Sequence, residues 1–229
     1  MFRVVTYNIR SGLGTDGIRS IRRIADTLAS LSPDVICLQE VHQRVLRSWL
    51  SNQPKHLSVR LGMQAVFQRN IDFGFGGYGN AILVKPLAIH CRSHRLPGGG
   101  EPRGLLEVTA NLDGVDIDVF CTHLSTDRAT RLVQARRVWE ILHASHGPKL
   151  LCGDMNDVRG SQTISTLLQE AVLRDAALEF DADNIPTLSP SNRRVDFVFA
   201  DIRFAVKSYQ VIESDGSDHR PVVVDLEIV

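Results

Sequence analysis

Few of the features that place a protein quickly are present in this chain. It has four cysteines in 229 residues and no Cys-x-x-Cys pair, which excludes a zinc clip and a disulfide scaffold. Cys37, Cys121 and Cys152 each sit inside an apolar run, as small core residues do. There is no net charge, because 26 Lys and Arg balance 26 Asp and Glu. No long-range field therefore draws the chain to DNA or to an anionic membrane, and any contact with a polyanion has to be local. Met1-Phe2-Arg3-Val4-Val5 enters a strand-like run directly, without the basic segment, apolar stretch and cleavage site of an export signal. The expected location is cytoplasmic, with no stable membrane association. Repeats and low-complexity tracts are missing too. What remains is ordinary globular usage, 43% hydrophobic and 23% charged, over a length that suits one domain spanning residues 1–229.

Apolar runs that stop at a polar residue recur along the chain. Phe2 to Tyr7 stops at Asn8. Ile21, Ile24, Ala25, Leu28 and Leu31 then follow helical spacing as far as Ser32-Pro33-Asp34, and Val35-Ile36-Cys37-Leu38 reads as a buried strand running into Gln39 and Glu40. Val41, Val45 and Trp49 continue at helical spacing to Pro54, so Glu40 is expected where a strand hands over to a helix. The middle third is β-like, with Asp113-Gly114 as a hairpin signal before the run Val115 to Thr122, which ends at His123. Ser125-Thr126-Asp127 can cap a helix with stripe Leu132, Ala135, Val138, Trp139 and Leu142. Lys149-Leu150-Leu151-Cys152 is a buried strand ending in Gly153-Asp154-Met155-Asn156; if it stays extended, Asp154 and Asn156 point to the same side. Ile164, Leu167 and Leu168 mark a short helix after Ser161. Val195 to Phe199 is a strand with Ile202 to Ile212 as its expected hairpin partner, and Asp218-His219 precedes the closing strand Val222 to Ile228.

The polar residues at these strand ends are Asn8, Glu40, His123, Asp154, Asn156, Asp196, Asp218 and His219. Carboxylates, amides and imidazoles without a serine or cysteine nucleophile suit a hard divalent cation, Mg²⁺ or Mn²⁺ rather than zinc. A cation that polarises a phosphoryl oxygen, a carboxylate that orients water and histidines that stabilise charge are the parts of phosphoester hydrolysis without a covalent intermediate.

Six segments in order, Thr6-Tyr7-Asn8-Ile9-Arg10, Leu38-Gln39-Glu40, Thr122-His123-Leu124, Gly153-Asp154-Met155-Asn156, Arg194-Val195-Asp196-Phe197 and Ser217-Asp218-His219-Arg220-Pro221, resemble the endonuclease/exonuclease/phosphatase superfamily, with its deoxyribonuclease I-like fold. The resemblance implies a four-layer α/β sandwich, two packed mixed β-sheets flanked by helices. It makes Glu40 the principal metal ligand, helped by Asn8, with Asp218 able to contribute. Asp154 would activate or orient water, Asn156 would hold a phosphate oxygen or that water, and His219 would contact the scissile phosphate with Asp196 fixing its orientation. His123 places the chain in the histidine-containing branches, and Asn80 resembles a polar position near that histidine.

Substrate choice is less legible. Phe73 and Phe75 could stack on a base, lie against lipid or pack their own loop, and Arg128 and Arg131 could reach a second phosphate or simply face solvent. Without a long basic run or a membrane-binding insertion, the expected substrate is a small phosphodiester or phosphomonoester, with a nuclease acting on DNA or RNA as the alternative and an inactive binding module as a remote one.

Overall fold

Every apolar run becomes a strand or a helix stripe in the computed structural model, which describes residues 1–85 and 88–229. In chain order these are β1 (Phe2–Asn8), α1 (Ile21–Leu31), β2 (Val35–Gln43), α2 (Gln53–Leu61), β3 (Gln64–Phe73), β4 (Gly76–Val84), β5 (Ala88–Arg95), β6 (Gly104–Leu112), β7 (Val115–His123), α3 (Arg128–Ala144), β8 (Lys149–Asp154), α4 (Gln162–Leu167), β9 (Leu173–Asp175), β10 (Asp196–Asp201), β11 (Phe204–Val211) and β12 (Val222–Ile228). They form two six-stranded mixed sheets, ordered β11-β12-β1-β2-β4-β3 and β5-β6-β7-β8-β10-β9.

The two-residue period of a strand sorts the side chains into layers. Val4, Cys37, Cys121, Cys152 and Val198 point into the core between the sheets. Their neighbours Val5, Ile36 and Leu38 point outward beneath Ile24, Leu28 and Leu57 of α1 and α2. Phe120, Leu151 and Phe197 do the same beneath Val138, Leu142 and Leu167 of α3 and α4. With both faces covered, β8 and β10 are buried at every position, which is why they read as continuous apolar runs. The architecture is the expected four-layer α/β sandwich. The helices start where a side chain can accept from an orphan N–H: Ser20 from Arg23, Asn52 from Lys55, Asp127 from Thr130 and Ser161 from Ile164.

Two expectations fail. No helix runs from Val41 to Pro54; β2 continues past Glu40 to Gln43, pairing Val41 with Gly79 and His42 with Tyr78. The spacing of Val41, Val45 and Trp49 is coincidental, since Trp49 is left-handed (φ 56°) and 90% exposed. Pro54 opens α2, where a missing N–H costs nothing, rather than closing a helix. Nor is β11 the hairpin partner of β10. Both edges of β10 are already taken by β8 and β9, so the chain crosses to the other sheet and β11 pairs with β12.

Candidate active site

Register gathers the polar strand ends. In parallel β7 and β8, His123 lies beside Asp154, and in antiparallel β8 and β10, Asp154 lies beside Asp196, so three side chains form a row on one sheet. The close approach depends on Gly153. Its φ is 146°, and a Cβ there would stand 1.9 Å from the Thr122 carbonyl oxygen. The facing sheet supplies Asn8, at the end of β1, and Glu40. Glu40 sits in a bulge of β2 between Leu38 and Val41 with φ 58°, and the Ser11 hydroxyl donates to its carbonyl at 2.9 Å. The bulge re-aims the carboxylate toward the cleft, a device that the expected strand-to-helix handover did not include.

Asp154 is the hub. Its Oδ2 accepts from Asn8 Nδ2 at 3.1 Å and lies 3.3 Å from His123 Nε2 and 3.7 Å from His219 Nε2. Burial, and then the Asp196 carboxylate, push its pKa up to about 6 from the ordinary 3.8. His219 Nδ1 meets Asp196 Oδ2 at 2.8 Å. Burial opposes charge on His219, yet Asp196, Asp154 and Asp218 hold its pKa up at about 10, so it is an imidazolium at neutral pH. His123 goes the other way. Burial, then Arg103 and His219, hold it well below its usual range, so it stays neutral.

Asn156 departs from the extended reading. The strand ends at Asp154, Asn156 is left-handed (φ 51°), its N–H donates to Asp154 Oδ1 at 2.9 Å and its Nδ2 donates to the Leu124 carbonyl at 2.9 Å. The turn locks Asp154 and leaves Asn156 on the cleft wall with its amide nitrogen engaged. Asn8 also differs from the expected ligand. Its oxygen accepts the Arg10 N–H at 3.1 Å, while Nδ2 bridges Glu40 Oε1 and Asp154 Oδ2, both at 3.1 Å. Asp218 turns aside: its Oδ2 pairs with Arg10 at 3.2 Å, and it lines a neighbouring cavity that touches the cleft at His219.

A cleft of about 360 Å³ is lined by Glu40, His123, Asp154, Asn156 and His219, together with Arg47, Ile71, Phe73, Tyr78, Glu101, Arg103 and Thr126. The second group was not singled out in the sequence, apart from Phe73. Arg103 follows Gly-Gly-Gly-Glu-Pro at the start of β6 and carries no local signal. Arg131 is buried instead of reaching for substrate, with Nε on Asp157 at 3.1 Å and Nη1 on the carbonyls of Ser125 and Thr126. Arg128 is exposed at the start of α3, outside the cleft lining. Arg194 is buried against Asp175, and Phe75, 96% exposed, lies beyond the cleft. Asn80 is buried, donating to the Gly104 carbonyl at 3.1 Å.

The donor set fits a hard divalent cation. Among the described residues the Glu40 carboxylate takes one hydrogen bond, from Asn8, and so keeps an oxygen free at the cleft. Oxygens of Asp154 and Asp196 lie with a His219 nitrogen within 4.8 Å of one another, and no thiol joins them.

The profile of the Endonuclease/Exonuclease/phosphatase family matches residues 5–219. The chain belongs to this family. A family structure from Beutenbergia cavernae superposes with a TM-score of 0.84 at 27% identity, covering 99% of this chain and 71% of that one. Escherichia coli (strain K12) protein YbhP is 29% identical over 171 residues, 69% of this chain and 68% of its own length. Human tyrosyl-DNA phosphodiesterase 2 is 29% identical over 145 residues, 60% of this chain and 36% of its own length. A mannosyl-6-phosphatase from Bacteroides thetaiotaomicron shares the fold, with a TM-score of 0.79 at 22% identity over all of both chains. The family thus holds phosphodiesterases and phosphatases, hydrolases of phosphoester bonds.

Proposed function

We propose that this chain is a Mg²⁺- or Mn²⁺-dependent phosphoesterase that opens a small phosphodiester or phosphomonoester by direct attack of water. The observation that carries this reading is the Asp154 carboxylate, buried among Asn8, His123 and His219 with its pKa raised to about 6. A carboxylate whose proton affinity approaches neutrality is suited to take a proton from water, and its neighbours fix its orientation beforehand.

Glu40, with Asn8 beside it, would hold the cation, which supplies charge to polarise a phosphoryl oxygen and to stabilise negative charge developing there. Asn8 ties the Glu40 and Asp154 carboxylates together, so the cation-holding and proton-accepting groups keep one spacing. His219, charged and held by Asp196, would donate to a phosphoryl oxygen as negative charge grows on it. His123, neutral and buried at the same edge, would add a hydrogen bond to phosphate or leaving group. Asn156 would hold the Asp154 turn and face the substrate from the cleft wall.

The test is hydrolysis of bis(p-nitrophenyl) phosphate and p-nitrophenyl phosphate with Mg²⁺ or Mn²⁺, a chelator control and Asp154→Ala as the contamination control. Turnover that needs the metal and disappears in the variant supports the reading. No turnover with any divalent ion, on these or on nucleotides, plasmid and RNA, would instead favour a binding module. The relationship to tyrosyl-DNA phosphodiesterase 2 favours a nuclease as the second reading. Efficient plasmid nicking that falls steeply with salt would select it. Among the described residues no helix is long and apolar enough to cross a membrane. A cytoplasmic site of action remains part of the proposal, and fractionation of tagged protein checks it.

A further inference from the structure

Arg103 is nine-tenths buried at the edge of the cleft that also holds His123. Among the described residues its charged partner is Glu101, Nη1 to Oε1 at 3.1 Å, and the Glu101 side chain is 44% exposed. Its Nε has no acceptor. Taking a guanidinium out of water while leaving one of its N–H groups unpaired is costly, so native structures rarely keep such a group unless something else supplies the acceptor. With Nη1 turned to Glu101, the guanidinium is left with its Nε–Nη2 edge. Two parallel N–H groups on that edge match two oxygens on one tetrahedral or planar anion.

The backbone beneath Arg103 is held firmly. Leu105 pairs with Thr122, which sets Gly104 across from His123 and Arg103 one residue nearer the open end of the sheet. The Gly104 carbonyl accepts from Asn80 Nδ2 at 3.1 Å and from the Thr122 hydroxyl at 3.0 Å, and the Arg103 carbonyl accepts the Leu96 N–H at 3.0 Å. A Cβ at Gly104 would stand 2.4 Å from Asn70 Oδ1, so the strand is packed tightly from behind. An arginine on so rigid a base is preorganised rather than searching for a partner.

We propose that Arg103 is a substrate-binding residue whose Nε–Nη2 edge takes two unesterified oxygens of the phosphoryl group at His123. This rests on the phosphoesterase reading and narrows it: phosphodiesters and phosphomonoesters carry two such oxygens, whereas a phosphotriester carries one and is rejected. Glu101 partly neutralises Arg103 and thereby weakens its hold on an anion.

The experiment is calorimetric titration of inorganic phosphate into the Mg²⁺-containing wild type, Arg103→Ala, Arg103→Lys and Glu101→Gln, alongside KM and kcat for bis(p-nitrophenyl) phosphate. Arg103→Ala should weaken phosphate binding at least tenfold and raise KM, and Arg103→Lys should recover only part of the loss because an ammonium cannot fork. Glu101→Gln should tighten phosphate binding severalfold. The inference is overturned if the wild type binds no phosphate at millimolar concentration or if Arg103→Ala binds it as well as the wild type does. Weakening by Glu101→Gln as large as that by Arg103→Ala also overturns it, since that is the signature of a merely structural ion pair. If Arg103→Ala does not fold, Glu101→Gln decides alone, its side chain being half in solvent. Phosphate binding that follows these variants in a wild type that hydrolyses no phosphoester would keep this inference and remove the phosphoesterase reading. Turnover with phosphate affinity unchanged in Arg103→Ala would do the reverse.

Discussion

Asp154→Asn should remove activity and, in metal-free protein, a pH-dependent burden on stability. The folded chain holds the Asp154 pKa at about 6 against an ordinary 3.8, about two decades in proton affinity. At about 1.4 kcal/mol per decade, the ionised carboxylate costs the fold roughly 3 kcal/mol at neutral pH. The sign follows from proton counting. Between pH 3.8 and 6 the folded protein keeps a proton that the unfolded chain has lost, so stability falls as pH rises through that window. The cost is complete above pH ~6 and absent below pH ~4. Asparagine does not titrate and escapes it. Its amide still accepts the Asn156 N–H but turns a donor toward Asn8, a packing cost that is the same at every pH. The quantity to measure is therefore the stability difference between variant and wild type, by urea unfolding in chelator at pH 4 and pH 7. It should move by about 3 kcal/mol in favour of the variant between the two, while turnover with metal falls by about 10²–10⁴. A difference that stays constant from pH 4 to pH 7, or near wild-type turnover, refutes the account of the buried carboxylate.

Glu40→Gln should raise the Mg²⁺ concentration for half-maximal activity by about tenfold or more while kcat at saturating metal changes less; an unchanged metal titration would move the cation toward Asp154, Asp196 and His219. Gly153→Ala should destabilise by about 3 kcal/mol or more, because its Cβ would enter the Thr122 carbonyl and its φ is unsuited to alanine; a loss below about 1 kcal/mol in urea unfolding would show that β7 and β8 can separate. Asp175→Asn leaves the Arg194 guanidinium, stacked 4.1 Å over the Phe197 ring, buried without a counter-charge, and should cost about 3–5 kcal/mol. Adding Arg194→Met should recover most of that loss, as read by thermal unfolding; a double variant as unstable as the single one would place the role of Asp175 elsewhere.

The alternation of the strands was legible because both faces of β1, β8 and β10 are covered, and a covered strand has to be apolar throughout. The residues that end those strands stood out for the same reason: a carboxylate or imidazole closing an apolar run, as in Asp154 or His123, has few structural motives. Local spacing misled at Val41 to Pro54 and at Ile202 to Ile212. There, strand pairing with Gly79 and Tyr78, and the edges of β10 already filled by β8 and β9, decide the outcome over a range no local window contains. The same holds within the site. That Asn8 points its nitrogen, not its oxygen, at two carboxylates follows from the Arg10 N–H, and that Arg131 braces a loop follows from Asp157. Arg103 enters the cleft only because β6 lies in register beside β7. The amino-acid sequence by itself determined which residue types end the strands, and so the class of chemistry, since that depends on composition at apolar boundaries. Tertiary structure alone decided which of those side chains meet, with what charge and at what distance, because register, burial and neighbouring dipoles come from elements far apart in the chain.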